Sequence, residues 1–406
     1  MKRAIFNPEH DLCLADGSGS FIPPAAIVEF ARRCSWVERF MVGPTVAVQD
    51  ASAKGLATGD AGVSDGSSAV ATVAHVEIVP WGWNRTLRDR LLREGVPVEQ
   101  LPDDAQLDFI REYSRRELAV ELHKNLCAES LHCCTGEVGQ SKPGGSFQRL
   151  SDRRGSIVSP SYRTVAHTME EIEKFLQEKG RVVLKAPLSG SGKGVRFVSG
   201  ELMETDRGWC KRTLQRQGAV IVEQRMELVK EFAMLFEVGN VGETGNSQVK
   251  FSGYSLFYAT NGAYKGNLLA SNEYIEKVLG EFVAVEELRQ TQEAIRAFLQ
   301  KKLQGKYRGF VGVDQFVAEA ADGGKAADGA EAQVAAVNDH AAEVAGADGA
   351  EDLSGRKYCW NPALEINLRM TMGLVARNIY DYHAAEYGVD EATHCFEPER
   401  GIFKCG

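Results

Sequence analysis

Apolar residues recur along the chain in two rhythms. Short runs have strand length and β-branched or aromatic content at RAIFN (3–7), HVEIVP (75–80), VVLK (182–185), AVIVEQ (219–224), EFAMLFEV (231–238), FVGVDQFV (310–317) and KYCWNPALEINL (357–368). Between them lie stretches whose apolar residues fall three and four apart. One covers about 24–33. A second covers 105–126, with Leu107, Phe109, Ile110, Tyr113, Leu118 and Leu122 on its apolar stripe. A third covers 285–303, with Leu288, Ile295, Phe298 and Leu299. Thr168 and Glu171 form a capping-box pattern ahead of Ile172, Phe175 and Leu176, and Gly180 stops that helix. Strands alternating with helices predict an α/β (α+β) chain, with an N-terminal α/β domain ending near residue 125.

The segments between these elements are polar. PEHDLCLADGSGSFIPP (8–24) and TGEVGQSKPGGSFQRLSDRRGSI (135–157) read as loops. Residues 319–354 are rich in Ala, Gly and Asp. They carry too little bulky apolar surface to offset ordering entropy, which predicts a disordered insert; a short Ala-rich helix near 331–346 is the alternative.

That insert changes the reading of charge. The 406 residues carry a net charge of −9. Nine acids (Glu319, Asp322, Asp328, Glu331, Asp339, Glu343, Asp348, Glu351 and Asp352) against Lys325 alone account for eight of those nine charges. The rest is near neutral, which argues against a nucleic-acid surface. MKRAIFNPEHD does not read as a signal peptide, and no run approaches a membrane span. Nine cysteines without a CxxC pair make zinc improbable; they predict reduced thiols in a cytoplasmic protein.

The candidate chemistry starts at RVVLKAPLSGSGKGVRFV (181–198). A Walker A loop fails at Pro187 and Gly194, the two ends of that motif. The kinase glycine spacing fails too, with Gly190, Gly192 and Gly194 in its place. VRFV continues as a strand, whereas a Rossmann fingerprint needs a helix there. What remains is strand, glycine hairpin, strand. Such a loop can fold over a triphosphate with backbone N–H groups and Lys193, while Lys185 approaches from the strand end. A plain Gly/Ser hairpin would have the same composition.

ALEINLRMTMG (363–373) supplies the second half. Alternation puts Glu365, Asn367 and Arg369 on one strand face and Leu364, Ile366 and Leu368 on the other. Asp314 is an acid in an otherwise apolar strand. Asp314, Glu365 and Asn367 offer the hard oxygen donors that magnesium prefers. An exposed edge-strand acid is the other reading of Asp314.

The order of these motifs resembles the ATP-grasp superfamily. The matching features run Lys185, the loop 189–194, Glu223 in VIVEQRM, Asp314, then ExNxR at 365–369, with SRRELAVELHKNL (114–126) similar to the helix that precedes the grasp domain. The resemblance covers about 110–380 and matches no particular subfamily. It implies an ATP-grasp fold behind an N-terminal domain (1–125), with an N-subdomain (126–222) and a C-subdomain (223–406). It implies that Lys185 with Ser189, Gly190, Ser191, Gly192, Lys193 and Gly194 holds ATP phosphates. Glu223, Gln224 and Met226 would line the adenine pocket and Glu231 would meet the ribose. Asp314, Glu365 and Asn367 would bind one or two Mg2+, and Arg369 with Lys185 would be catalytic. The implied activity is ligation of a small carboxylate to an amine. A phosphotransferase or a silent ATP-binding module is the alternative, and a homodimer is possible.

Substrate residues are less legible. His10 and Asp11 follow the first strand, where open α/β sheets bind ligands, although Asp11 also suits a helix cap. Lys265 could meet an anionic substrate or lie in solvent. Trp81 and Trp83 could stack on a substrate or fill a core.

Overall fold

The computed structural model describes residues 2–43, 76–134, 155–190, 194–241, 247–260, 263–320 and 358–405. Strand β1 (Lys2–Ile5) pairs in parallel with β2 (Glu77–Pro80). Helices α1 (His10–Asp16) and α2 (Ala25–Arg33) lie between them in sequence, and α3 (Arg85–Arg93), α4 (Asp104–Tyr113) and α5 (Glu117–Cys134) follow.

Two differences from the expected elements bear on the site. The polar stretch after β1 holds α1, because Cys13 and Leu14 are buried and Gly17 closes the helix in the left-handed conformation at φ +77°. The helical pattern over 105–126 is broken at Ser114–Arg116. Tertiary contacts win there: the Arg116 backbone N–H donates to the Pro187 carbonyl, and its side chain to that of Ala186. The helices expected near 24–33 and 285–303, and the one capped by Thr168, are present.

Two sheets follow, antiparallel except where β12 meets β3. A small sheet has the order β4–β7–β5–β6, where β4 is Arg163–Ala166, β5 Arg181–Lys185, β6 Val195–Ser199 and β7 Val220–Gln224. Helices α6 (Met169–Lys179) and α7 (Glu204–Gln217) pack on it through Ile172, Phe175, Leu176 and Cys210. The larger sheet has the order β14–β13–β10–β9–β8–β11–β12–β3. Here β3 is Ser156–Ile157, β8 Leu228–Val241, β9 Ser247–Thr260, β10 Ala263–Leu269, β11 Gly309–Glu319, β12 Tyr358–Asn367, β13 His394–Glu397 and β14 Gly401–Lys404. Strands β9, β10, β13 and β14 were not among the sequence expectations.

Alternation splits the large sheet into two cores. Phe232, Met234, Val311, Val313 and Trp360 face Leu122 of α5 and Ile295 and Leu299 of a long helix, α9 (Val285–Leu303), which follows α8 (Asn272–Leu279). Ala233 and Leu235 face Phe6, Trp81 and the Leu374 and Val375 side chains of α10 (Met372–Asn378). The second face also carries Asp314, Glu365 and Asn367.

The expectation that every cysteine is a thiol is corrected at one pair. Cys395 and Cys405 form a disulfide, because the β13–β14 hairpin brings their Cα atoms to 5.7 Å. Among the described residues no helix is long and apolar enough to cross a membrane. The polar stretch 135–154 and the insert beyond residue 320 lie outside the described residues.

Candidate functional site

β11 and β12 run antiparallel with Asp314 directly opposite Glu365 and Gly312 opposite Asn367. Two like charges in register repel each other. Burial, then the Glu365 charge, pushes the Asp314 carboxyl up to about 7. The Asn367 amide donates to Asp314 Oδ2 at 2.9 Å and partly offsets this. Carboxylates in register are costly alone, and the Arg369 charge offsets part of that cost at Asp314.

Arg369 closes this group. Its Nη2 donates to Asn367 Oδ1 at 2.9 Å and its Nε to Asp11 Oδ1 at 2.8 Å, and its guanidinium lies 6.0 Å from the Trp81 ring centroid. Burial opposes the Asp11 charge, but Arg369 outweighs it and holds that carboxyl below its ordinary range. Trp81 is buried against Phe6, and its carbonyl accepts from the Met370 N–H at 2.8 Å. Trp81 therefore backs Arg369 from one core, while Trp83 is partly buried against others.

The strand–hairpin–strand expectation holds at the glycine loop. Lys185 opposes Val195, and the Ala186 N–H donates to the Gly194 carbonyl at 2.9 Å. Gly194 is at φ +74°, and a Cβ there would lie 2.6 Å from the Ser189 Cβ, so the turn requires glycine. Ser189, Gly190 and Gly194 are described; Ser191, Gly192 and Lys193 lie outside the described residues.

Lys185 Nζ meets Glu223 Oε2 at 2.6 Å. Glu223 is buried, and burial alone would raise its pKa. Lys185 and then Arg163 reverse this and hold it down. Its carboxylate thus anchors Lys185 rather than lying open in a pocket. Gln224 and Met226 follow; Met226 packs against Tyr162 and Phe316. Glu231 of β8 pairs in register with Phe316, on the face shared with Asp314. Burial raises its pKa, and Lys185 opposes the rise.

Arg116 was quoted in the sequence only as part of a helix. In the structure it bridges the glycine loop and the acidic strand. Its Nη1 donates to Ser189 Oγ at 2.8 Å, and its Nη2 meets Glu365 Oε1 at 3.0 Å. A small cavity opens here, lined by Asp11, Ser114, Arg116, Pro187, Leu188, Ser189 and residues 365–368. Arg116 Nε and Ser114 Oγ are buried beside it without a partner among the described residues.

The structure therefore brings together Asp11, Ser189, Asp314, Glu365, Asn367 and Arg369, with Lys185 joined to the neighbouring Glu223. It does not bring in Lys265, which is exposed on β10 with β9 and β8 between it and β11. His10 is buried next to Asp11, within 3.3 Å of the Asn84 amide; burial pushes its imidazole down to about 4, so it is neutral. Among the described residues no three His, Cys, Asp or Glu side chains converge on one point. Two carboxylates suit a hard cation that takes few protein donors, such as Mg2+, and are too few for a structural zinc site; the Asn367 Oδ1 that would join them accepts from Arg369 here.

No family model and no curated protein matches the chain. Solved structures do. An N5-carboxyaminoimidazole synthetase from Staphylococcus aureus, complexed with ADP, is 13% identical over 60% of this chain and 50% of its own, at TM-score 0.34. A biotin carboxylase from Campylobacter jejuni is 11% identical over 78% and 57%, at TM-score 0.39. A D-alanyl-alanine synthetase A from Vibrio cholerae is 14% identical over 41% and 46%, at TM-score 0.27. These are ATP-grasp enzymes, the superfamily that the motif order resembles. The chain spans about half the length of the structures it matches.

Proposed function

We propose that the protein is an ATP-dependent ligase that activates a small-molecule carboxylate as an acyl-phosphate for attack by an amine. The observation that carries this reading is the Asp314–Glu365 pair, two carboxylates in direct register with Asn367 and Arg369 beside them.

In this reading Lys185, anchored by the Glu223 carboxylate, and the loop 189–194 hold the phosphates, with the backbone of 223–226, Met226 and Glu231 on the nucleoside side. Asp314, Glu365 and Asn367 hold Mg2+, which neutralises phosphate charge when bound. Arg369, fixed by Asp11, offers its charge to the phosphoryl group as it moves. A substrate carboxylate oxygen forms a bond to the γ-phosphorus and ADP leaves. The amine lone pair then attacks the acyl carbon, and phosphate and a proton are released. Positioning and charge neutralisation carry most of the rate in such transfers. Asp11 accepts from Arg369 and so acts through it, while His10 is buried and neutral. The division into 1–125, 126–222 and 223–406 belongs to the same proposal, although α5 runs across the first boundary.

The test is ADP release with Mg-ATP, hydroxylamine and a pool of amino acids and small carboxylates. Wild type should yield ADP and a hydroxamate. Glu365→Gln, which keeps shape and removes charge, should lose at least about a hundredfold in turnover. Wild-type-like turnover in that variant would remove Glu365 from the metal site. ADP with a phosphorylated product would replace the ligase by a phosphotransferase.

A further inference from the structure

Arg163 is a long cationic side chain with 1% of its surface exposed, in a strand that no motif singles out. Burying a guanidinium is costly unless its donors are matched; Arg163 Nε has no partner among the described residues, but both terminal nitrogens do. Its Nη2 donates to the carbonyls of Ala119 at 2.6 Å and Ala363 at 2.8 Å, and its Nη1 to that of Leu364 at 3.4 Å. Nη1 also lies 3.6 Å from Glu223 Oε1. One planar fork thus joins α5, β12 and the buried acid that grips Lys185.

The β12 end of this link is a specific irregularity. Between the Asp314–Glu365 and Phe316–Asn361 pairs, β11 contributes Gln315 alone, whereas β12 contributes Pro362, Ala363 and Leu364. The carbonyls that Arg163 takes belong to this bulge, and the second directly precedes Glu365. Tyr162, next in sequence to Arg163, fixes the other side of the bulge by accepting from the Asn361 amide.

We propose that Arg163 is a positioning residue that holds the Lys185–Glu223 pair of the small sheet at a fixed distance from the strand carrying Glu365 and Asn367. It touches neither nucleotide nor cation. It makes the lysine side and the acidic side of the site one unit, so a nucleotide's phosphates and a divalent cation are bound cooperatively. The proposal rests on the nucleotide-site reading above.

The experiment is ADP affinity by calorimetry on the full chain, with and without Mg2+, in wild type, Arg163→Met, Arg163→Lys and Glu223→Gln. Wild type should bind ADP more tightly with Mg2+. Arg163→Met should cut that tightening about tenfold, within the coupling of residues that share a network, and Arg163→Lys should restore part of it. A purely structural brace would lower the urea midpoint and leave the tightening intact, and that result overturns the proposal. Should Arg163→Met fail to fold, Glu223→Gln breaks the same link, and undiminished tightening there overturns it equally. Absence of ADP binding in wild type would instead refute the nucleotide site, and the proposal with it.

Discussion

His123 shows how burial sets chemistry one residue at a time. It is buried in α5, and its Nε2 lies 2.9 Å from the Val158 carbonyl. Burial, and then the nearby Arg163 charge, pushes it from 6.5 down to about 4. The unfolded chain takes up a proton between those values that the folded chain refuses, so stability falls as pH drops through that window. The contribution is at most about 3–4 kcal/mol, from about 1.4 kcal/mol for each pKa unit. His10 acts in the same direction. Asp314, raised to about 7, acts oppositely, because the folded chain keeps its proton and loses stability as pH rises from about 4 to 7. The difference between wild type and His123→Gln isolates the histidine. The variant keeps a side-chain donor for Val158 and does not titrate. Urea midpoints should be nearly equal at pH 7.5, and the variant should be the more stable at pH 4.5. A constant difference across that range would mean that the folded chain protonates His123.

At the scale of elements, local signals with a chemical mechanism proved readable. Thr168 caps α6 by accepting from the Glu171 N–H at 3.2 Å, while Glu171 reaches back to the His167 N–H at 2.6 Å. Thr168→Ala should cost about 1 kcal/mol, and Thr168→Ser close to nothing. Hydrogen-exchange protection of the α6 amides is the measurement, since it reads this element alone; equal protection in both variants would show that packing of Ile172 and Phe175 holds the helix without its cap. The same local legibility gave β5, the glycine hairpin and the shared face of Glu365 and Asn367, because alternation needs no partner to be known. Arg116, Arg163 and the grip of Asp11 on Arg369 were not legible. Each depends on which element lies opposite: Arg163 meets Ala363 of β12 across a separation of 200, Arg116 meets Glu365 of the same strand from further still, and Asp11 meets Arg369 across a separation of 358. The break between α4 and α5 was hidden for the same reason, since the Pro187 carbonyl that captures the Arg116 N–H is distant in sequence.

Across the whole molecule, the large sheet separates stability from chemistry along its width. The candidate site lies at β11 and β12, near one edge; the Cys395–Cys405 disulfide clamps the β13–β14 hairpin at the other, with β10, β9 and β8 between. The hairpin is anchored by packing as well as by the crosslink, with Cys395 and Phe396 fully buried and Phe396 edge-on to Trp36. β13 pairs with β10 over three residues, and the Tyr258 hydroxyl donates to Glu397 at 2.7 Å. A crosslink between residues ten apart restricts the unfolded chain by about 2–3 kcal/mol in the loop-entropy account. Effects at separated positions with no shared partner add rather than couple. Reduction, or Cys405→Ser, should therefore lower the thermal midpoint while ADP affinity stays within about twofold of the oxidised protein. A non-reducing peptide map should show residues 395 and 405 linked. A changed ADP affinity with an intact fold would mean that the edge hairpin sets the geometry of β8 and β11 through β9 and β10. The Glu231 and Asp314 positions would then depend on the redox state of the far edge, and the sheet would transmit strain across its width instead of isolating it.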